Sequence, residues 1–361
     1  MIGGAWGNVG VSALNDKPSA ATVDVLTQIW QGVLQRSPIG LDDNFFDLGG
    51  NDPLADSVFA RIAQECGREL PSATICHAPT IAALAALLNQ STLPQFSPFV
   101  QLKPGSERPP ILITHGLGGR ASFSALAKHI RTGQPVYGIQ AKGVDGMEQA
   151  FERVEDMAQF YLEALHQLQP EGPYILIGYS FGGLVALEMA QRLSGDGKHI
   201  ALLVLVDTYP HPRYMLPGQR LWLFTKRMGG HISDMKKMSI HGAFSHVARA
   251  LGRRLHIAAV HNRRMVSPER PRLSFAHTTS CVRESDFIAM ARYQPRFYRG
   301  KIRFVRPETN SYLPNDPTAV WKNLAAELEI ETVPGDHLGM VGTHFESLAA
   351  VLTRYVREAS V

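Results

Sequence analysis

Two different rhythms of apolar and polar positions divide the chain. Between residues 22 and 34, Val23, Val25, Leu26, Ile29, Trp30, Val33 and Leu34 recur at helical spacing and predict a first helix. A loop with Pro38 and Gly40 follows, then the run Asp43-Asn44-Phe45-Phe46-Asp47-Leu48-Gly49-Gly50. A second amphipathic helix is expected from Leu54 to about Cys66, and a third over 81–88 with Thr80 as its N-cap. Residues 21–90 therefore read as a small all-helical bundle, preceded by a flexible tail over 1–20. Residues 91–109 have linker composition, with Pro94, Pro98, Pro104, Gly105 and Pro109.

From Pro110 the rhythm changes. Short apolar runs at 111–114, 136–140, 174–177, 202–206, 302–305 and 330–333 alternate with helical stretches such as 154–168, 181–193 and 345–356. Strands alternating with helices predict an α/β domain over 110–361 built on a doubly wound, mostly parallel sheet. The strand rhythm stops over about 209–280, which reads as a helical insertion. It holds thirteen Lys and Arg against two acids, whereas 21–90 hold three against eight. An insertion there is placed to act as a lid. Its basic balance fits either an anionic partner or a solvated helical face.

Composition narrows the class. Of 361 residues, 45% are hydrophobic and 19% charged, which is a globular balance with room for two cores. A net charge of +4 without aromatic-interleaved basic motifs gives no nucleic-acid partner. Three scattered cysteines, Cys66, Cys76 and Cys281, fit a reducing compartment better than a disulfide framework. No apolar run reaches spanning length and the first residues do not form a signal peptide, so the expected location is cytoplasmic. The seven histidines within 209–280 have no cysteine or carboxylate at ligand spacing, and no metal is expected.

The chemistry concentrates in Gly178-Tyr179-Ser180-Phe181-Gly182-Gly183, which follows one predicted strand and opens a predicted helix. Glycines at those positions allow a sharp strand-to-helix turn that exposes the serine at the top of the sheet. A serine hydroxyl needs a base and a group to orient that base. Asp207, at the end of the 202–206 strand, is the candidate acid, with Glu308 and Asp316 as rivals. His337 in Val333-Pro334-Gly335-Asp336-His337 is the candidate base, with His344 as its rival. Phe181 and Leu117, the latter in His115-Gly116-Leu117-Gly118-Gly119, are the expected backbone donors of an oxyanion hole.

Together these motifs resemble the type I thioesterase domains that release products from nonribosomal peptide and polyketide synthases, within the α/β-hydrolase superfamily. The likeness runs through 111–119, 172–193, 202–210 and 333–340 in order. It implies a Ser-Asp-His triad of Ser180, Asp207 and His337, a variable lid over 209–280, and no cofactor for the thioesterase. Residues 20–90 resemble the phosphopantetheine carrier domain of the same systems, on the Asp43–Gly50 run and on 67–70 through Ala78-Pro79-Thr80-Ile81. The carrier's attachment serine should fall two residues after Gly50, and that position is Asp52, followed by Pro53. A carboxylate cannot form the phosphodiester, and Ser57, five residues on, is a poor substitute. Phosphopantetheine is therefore not expected on this chain.

The reading is a thioesterase acting on acyl, peptidyl or polyketide thioesters, brought by a loaded carrier protein in trans or as acyl-CoA. The alternatives are a stand-alone acyl-CoA or editing hydrolase, or an acyltransferase, with the carrier-like domain as a docking module. Asp52 and Pro53 should open the second helix without cost, Asp52 lending its carboxylate as the cap.

Overall fold

A computed structural model of the chain describes residues 20–90, 96–212, 217–218, 221, 278–309 and 317–360. The expected tail at 1–19 and most of the basic insertion expected as a lid lie outside the described residues, as does Asp316.

The helical bundle comprises α1 (Ala20–Leu34), α2 (Asp52–Cys66), a short 3-10 turn (Ser72–Cys76) and α3 (Ile81–Leu88). Its core is Leu26, Ile29, Trp30, Phe45, Val58, Ile62, Ile75, Ile81 and Leu84, with Trp30 and Phe45 packed edge to face at 5.1 Å. The Thr80 hydroxyl accepts from Ala83 N–H and caps α3 as expected. The start of α2 differs. Asn51 is the cap, its side chain accepting from Leu54 N–H, and Asp52 is already the first helical residue. Asn51 has the extended backbone a cap needs, so the Asp52 carboxylate is released for contacts elsewhere.

The second region is a seven-stranded sheet in the order β1-β3-β2-β4-β5-β6-β7. The strands are β1 (Phe99–Lys103), β2 (Ile111–Thr114), β3 (Val136–Ile139), β4 (Tyr174–Tyr179), β5 (Ile200–Val206), β6 (Tyr298–Pro307) and β7 (Ala325–Val333). Every pairing is parallel except that of β1 with β3. Strand β1 lies inside the stretch whose proline content reads as linker. As an antiparallel edge strand with one buried residue it carries little apolar signal.

Six helices join α1–α3 among the described residues: α4 (Ser124–His129), α5 (Val154–Leu168), α6 (Gly182–Gly195), α7 (Thr278–Arg292), α8 (Thr318–Trp321) and α9 (Phe345–Ala359). One sheet face packs on α5 and α6 through Met157, Tyr161, Leu187 and Met189. The other packs on α4 and α9 through Leu126, Leu348, Leu352 and Tyr355. The chain runs from β2 out to β3 and then back across to β4, so β2 and β4 flank the switch point of the sheet. The crevice beyond their C-terminal ends is where such sheets bind ligands.

Candidate active site

Four loops meet at that crevice. Strand β4 is buried at every residue and ends at Tyr179. Ser180 follows with φ +54, a left-handed conformation rare outside glycine. Its N–H is held by Val206 O at 2.8 Å, and Phe181 next to it is already helical, at φ −55 and ψ −41. The glycines around it are sterically required. A Cβ on Gly182 would fall 2.0 Å from His115 O, and one on Gly183 would fall 1.9 Å from the Thr208 hydroxyl. Helix α6 is thereby pressed against the ends of β2 and β5.

Asp207 leaves β5 at φ +43 and is 4% exposed. Its Oδ2 lies 2.6 Å from His337 Nδ1. A carboxylate accepts only, so Nδ1 carries the proton and donates. The opposite ring nitrogen, Nε2, is left as a lone-pair acceptor. The His337 ring stacks on Tyr179 at 5.0 Å, and the Tyr179 hydroxyl donates to His337 O at 2.7 Å. Burial raises the Tyr179 phenol above its ordinary range, so it stays protonated as a donor.

Two of the rivals, Glu308 and His344, have other surroundings. Glu308 is exposed just beyond β6, its N–H bonded to Val333 O. His344 is exposed at the start of α9. Asp336 accepts from Gly339 N–H at 2.7 Å and shapes the His337 loop.

The loop after β2 supplies the remaining groups. Gly116 faces the nucleophile, a Cβ on it lying 4.0 Å from Ser180 Cβ. Gly118 and Gly119 take φ +97 and +79, which only glycine tolerates well. Neither Leu117 nor Phe181 N–H has a hydrogen-bond partner among the described residues. His115 is fully buried, and burial pushes it down to about 4, so the ring is neutral. It donates from Nδ1 to Gly116 O at 2.7 Å and accepts from the Tyr161 hydroxyl at 2.9 Å through Nε2.

The sequence reading missed Asp286 on α7. It is fully buried and accepts from Gly118 N–H at 2.8 Å, pinning the loop. Burial pushes its carboxyl up to about 7, against the opposing pull of that N–H and of Arg283. In sequence Asp286 sits among Arg283, Glu284 and Asp286 itself, a run that reads as a solvated face; only its spacing of four from Val282 hints otherwise.

A family model described as Thioesterase domain matches residues 109–355. The chain belongs to that family. A second model, Phosphopantetheine attachment site, matches residues 24–88. Malpibaldin synthetase of Mortierella alpina is 30% identical over 332 residues, which is 90% of this chain and 6% of that protein. The dimodular nonribosomal peptide synthase of Bacillus subtilis (strain 168) is 36% identical over 199 residues, 54% of this chain and 8% of its own length. The chain thus spans less than a tenth of the length of these relatives. A solved four-domain nonribosomal peptide synthetase bound to AMP and glycine superposes with a TM-score of 0.56 at 22% identity, covering 94% of this chain and 26% of that one. That likeness concerns the fold, a carrier-like helical bundle followed by an α/β-hydrolase.

Among the described residues no helix is long and apolar enough to cross a membrane, and no three His, Cys, Asp or Glu side chains cluster as metal ligands. Cys66, Cys76 and Cys281 are not joined in disulfides, and burial pushes Cys76 up to about 12.

Proposed function

We propose that the protein cleaves acyl, peptidyl or polyketide thioesters through an acyl-enzyme on Ser180. The observation that carries this reading is the 2.6 Å contact between His337 and the buried Asp207, which follows the strand next to the one leading into Ser180. Asp207 fixes the His337 tautomer, so Nε2 takes the Ser180 proton as Oγ attacks the thioester carbonyl. The negative charge on the carbonyl oxygen is met by Leu117 and Phe181 N–H groups. The C–S bond then breaks, the thiolate leaves with the proton from His337, and the acyl group stays on Oγ. Water, activated by the same nitrogen, or a substrate hydroxyl or amine then takes the acyl group and restores the serine.

The thioester arrives on a carrier protein or as acyl-CoA, and the thioesterase itself uses no cofactor. Asp52 holds no phosphopantetheine, because its carboxylate has no hydroxyl to form the phosphodiester. Two experiments test these points. A fluorophosphonate probe should label wild type at Ser180 and leave Ser180→Ala unlabelled; labelling elsewhere removes the nucleophile assignment. Incubation with coenzyme A and a broad phosphopantetheinyl transferase should add no mass. A gain mapped to Ser57 or another bundle residue overturns the unloaded carrier.

A further inference from the structure

The carboxylate at the attachment position is not free. Arg120, the residue after the Gly118-Gly119 pair, has a guanidinium-bearing side chain only 1% exposed. Its Nη2 donates to Asp56 Oδ1 at 2.5 Å, Ser72 Oγ at 2.6 Å and Thr279 Oγ1 at 2.6 Å. Its Nη1 donates to Asp52 O at 3.1 Å and lies 3.5 Å from Asp52 Oδ1, which also accepts from the Ser122 hydroxyl at 2.8 Å. One buried cation therefore joins the start of α2, the 3-10 turn, the oxyanion loop and α7. Burial alone would weaken its charge; the carboxylates of Asp52 and Asp56 outweigh that and raise its pKa.

The contact surrounding this cation is built like an interface. Lys128 pairs with Asp47 at its rim. Gln140 donates to His77 Nε2 at 2.8 Å. Val100 and Ala121 of the hydrolase region join the apolar core of the bundle. The place is informative as well. A Cβ on Gly116 would lie 4.0 Å from Ser180 Cβ, and Arg120 is four residues further on, at most ~14 Å of extended chain. The end of α2 that would bear a thioester arm is thus seated within an arm's length of the nucleophile. A loaded carrier would bring a phosphodiester anion there, and Asp52 supplies a permanent anion in its stead.

We propose that Asp52 and Asp56 form a charge clasp on Arg120 that keeps the bundle seated beside the oxyanion loop, shuts out other carrier domains, and leaves small diffusible pantetheine thioesters as the substrates. This rests on Ser180 being the nucleophile. Two carriers cannot use Arg120, Ser122, Lys128 and Gln140 at once, so an incoming carrier must first displace the bundle. Arg120 is buried while Asp52 and Asp56 stay partly exposed, so removing both carboxylates leaves a buried guanidinium uncompensated and makes the clasp the natural point of release.

The test compares kcat/KM for one acyl group presented as acyl-CoA and on a separate holo-carrier protein, in wild type, Asp52→Asn and Asp52→Asn/Asp56→Asn full-length chains. Wild type should prefer acyl-CoA by at least about tenfold. The double variant should gain about tenfold on the carrier-bound substrate while changing little on acyl-CoA, and Asp52→Asn should gain less in the same direction. Wild type that uses the carrier-bound substrate as well as acyl-CoA overturns the clasp, whatever the variants do. So do variants in which both substrates change in step or neither changes. Failure of wild type to cleave either thioester removes the thioesterase reading itself, and so is told apart from failure of the clasp.

Discussion

Two glycine turns, one after β4 and one before α2, carry the residues proposed for the chemistry and its carrier, and they differ in what they hold together. At the turn after β4, backbone and side chain have stayed together: Ser180 holds φ +54, and Gly182 and Gly183 have backbone or side-chain atoms where any Cβ would go. At the turn before α2 the backbone is intact. Gly49 has φ +92, Gly50 packs against Phe45, Asn51 caps the helix, and Pro53 sits in its first turn. On the proposed reading, the departure from a working carrier is in the side chain alone, at Asp52. The difference teaches that glycines and caps preserve a motif's shape independently of its chemistry. Helix α2 needs nothing from residue 52 beyond helical φ and ψ, so a carboxylate there costs the fold little and serves Arg120 as a counter-ion.

Breaking the chemistry of the first turn should produce the largest effect. Ser180→Ala should lower kcat for thioester cleavage by ~10⁴–10⁶ with an unchanged circular dichroism spectrum, because the remaining groups bind but form no acyl-enzyme. Asp207→Asn should cost ~10³–10⁴ in kcat by offering His337 the wrong tautomer, whereas Glu308→Gln should stay near wild type. Equal losses at 207 and 308 would mean that the orienting acid has been misplaced.

The shape of the two turns can be compared directly. Gly182→Ala pushes a methyl into His115 O and should lower stability by about 3 kcal/mol in urea unfolding. Gly49→Ala meets nothing within 4 Å and carries only the strain of its positive φ, about 1 kcal/mol. Similar losses at the two sites would erase the contrast between a crowded turn and an open one.

Most of the sheet and the triad candidates were legible because they rest on local signals. Strands such as β2 and β5 are short apolar runs, and the Ser180 turn is a glycine pattern with a steric cause. What escaped depends on tertiary partners. Helix α7 hides its inward face behind Thr278 and Asp286, so its periodicity is weak. Arg120 reads as one basic residue after two glycines, and its four partners lie 48 to 159 residues away in sequence. The capping role expected of Asp52 went to Asn51, one residue earlier, because the residue with extended backbone is the one whose side chain reaches back over the helix start.

A smaller and pH-dependent effect belongs to Asp286. Its carboxyl is raised from the ordinary range to about 7 by burial, so the folded protein holds a proton that the unfolded chain releases near pH 4. The stability this proton contributes is full below about pH 4 and is lost as pH rises through about 7. Asp286→Asn removes that dependence while keeping an acceptor for Gly118 N–H. Thermal unfolding curves of variant and wild type should separate above pH 4, with the variant more stable by about 2 kcal/mol above pH 7. Parallel pH profiles would mean that Asp286 is charged throughout.

The bond from Tyr179 to His337 O spans 158 residues of sequence. Tyr179 immediately precedes Ser180, so His337 is registered against the strand that leads into Ser180, and positional error does not accumulate along the chain between them. Insertions or deletions between β5 and α7 can then leave the spacing of Ser180 and His337 undisturbed. Such wiring ties the two proposed catalytic residues to one strand end, whatever the length of chain between them.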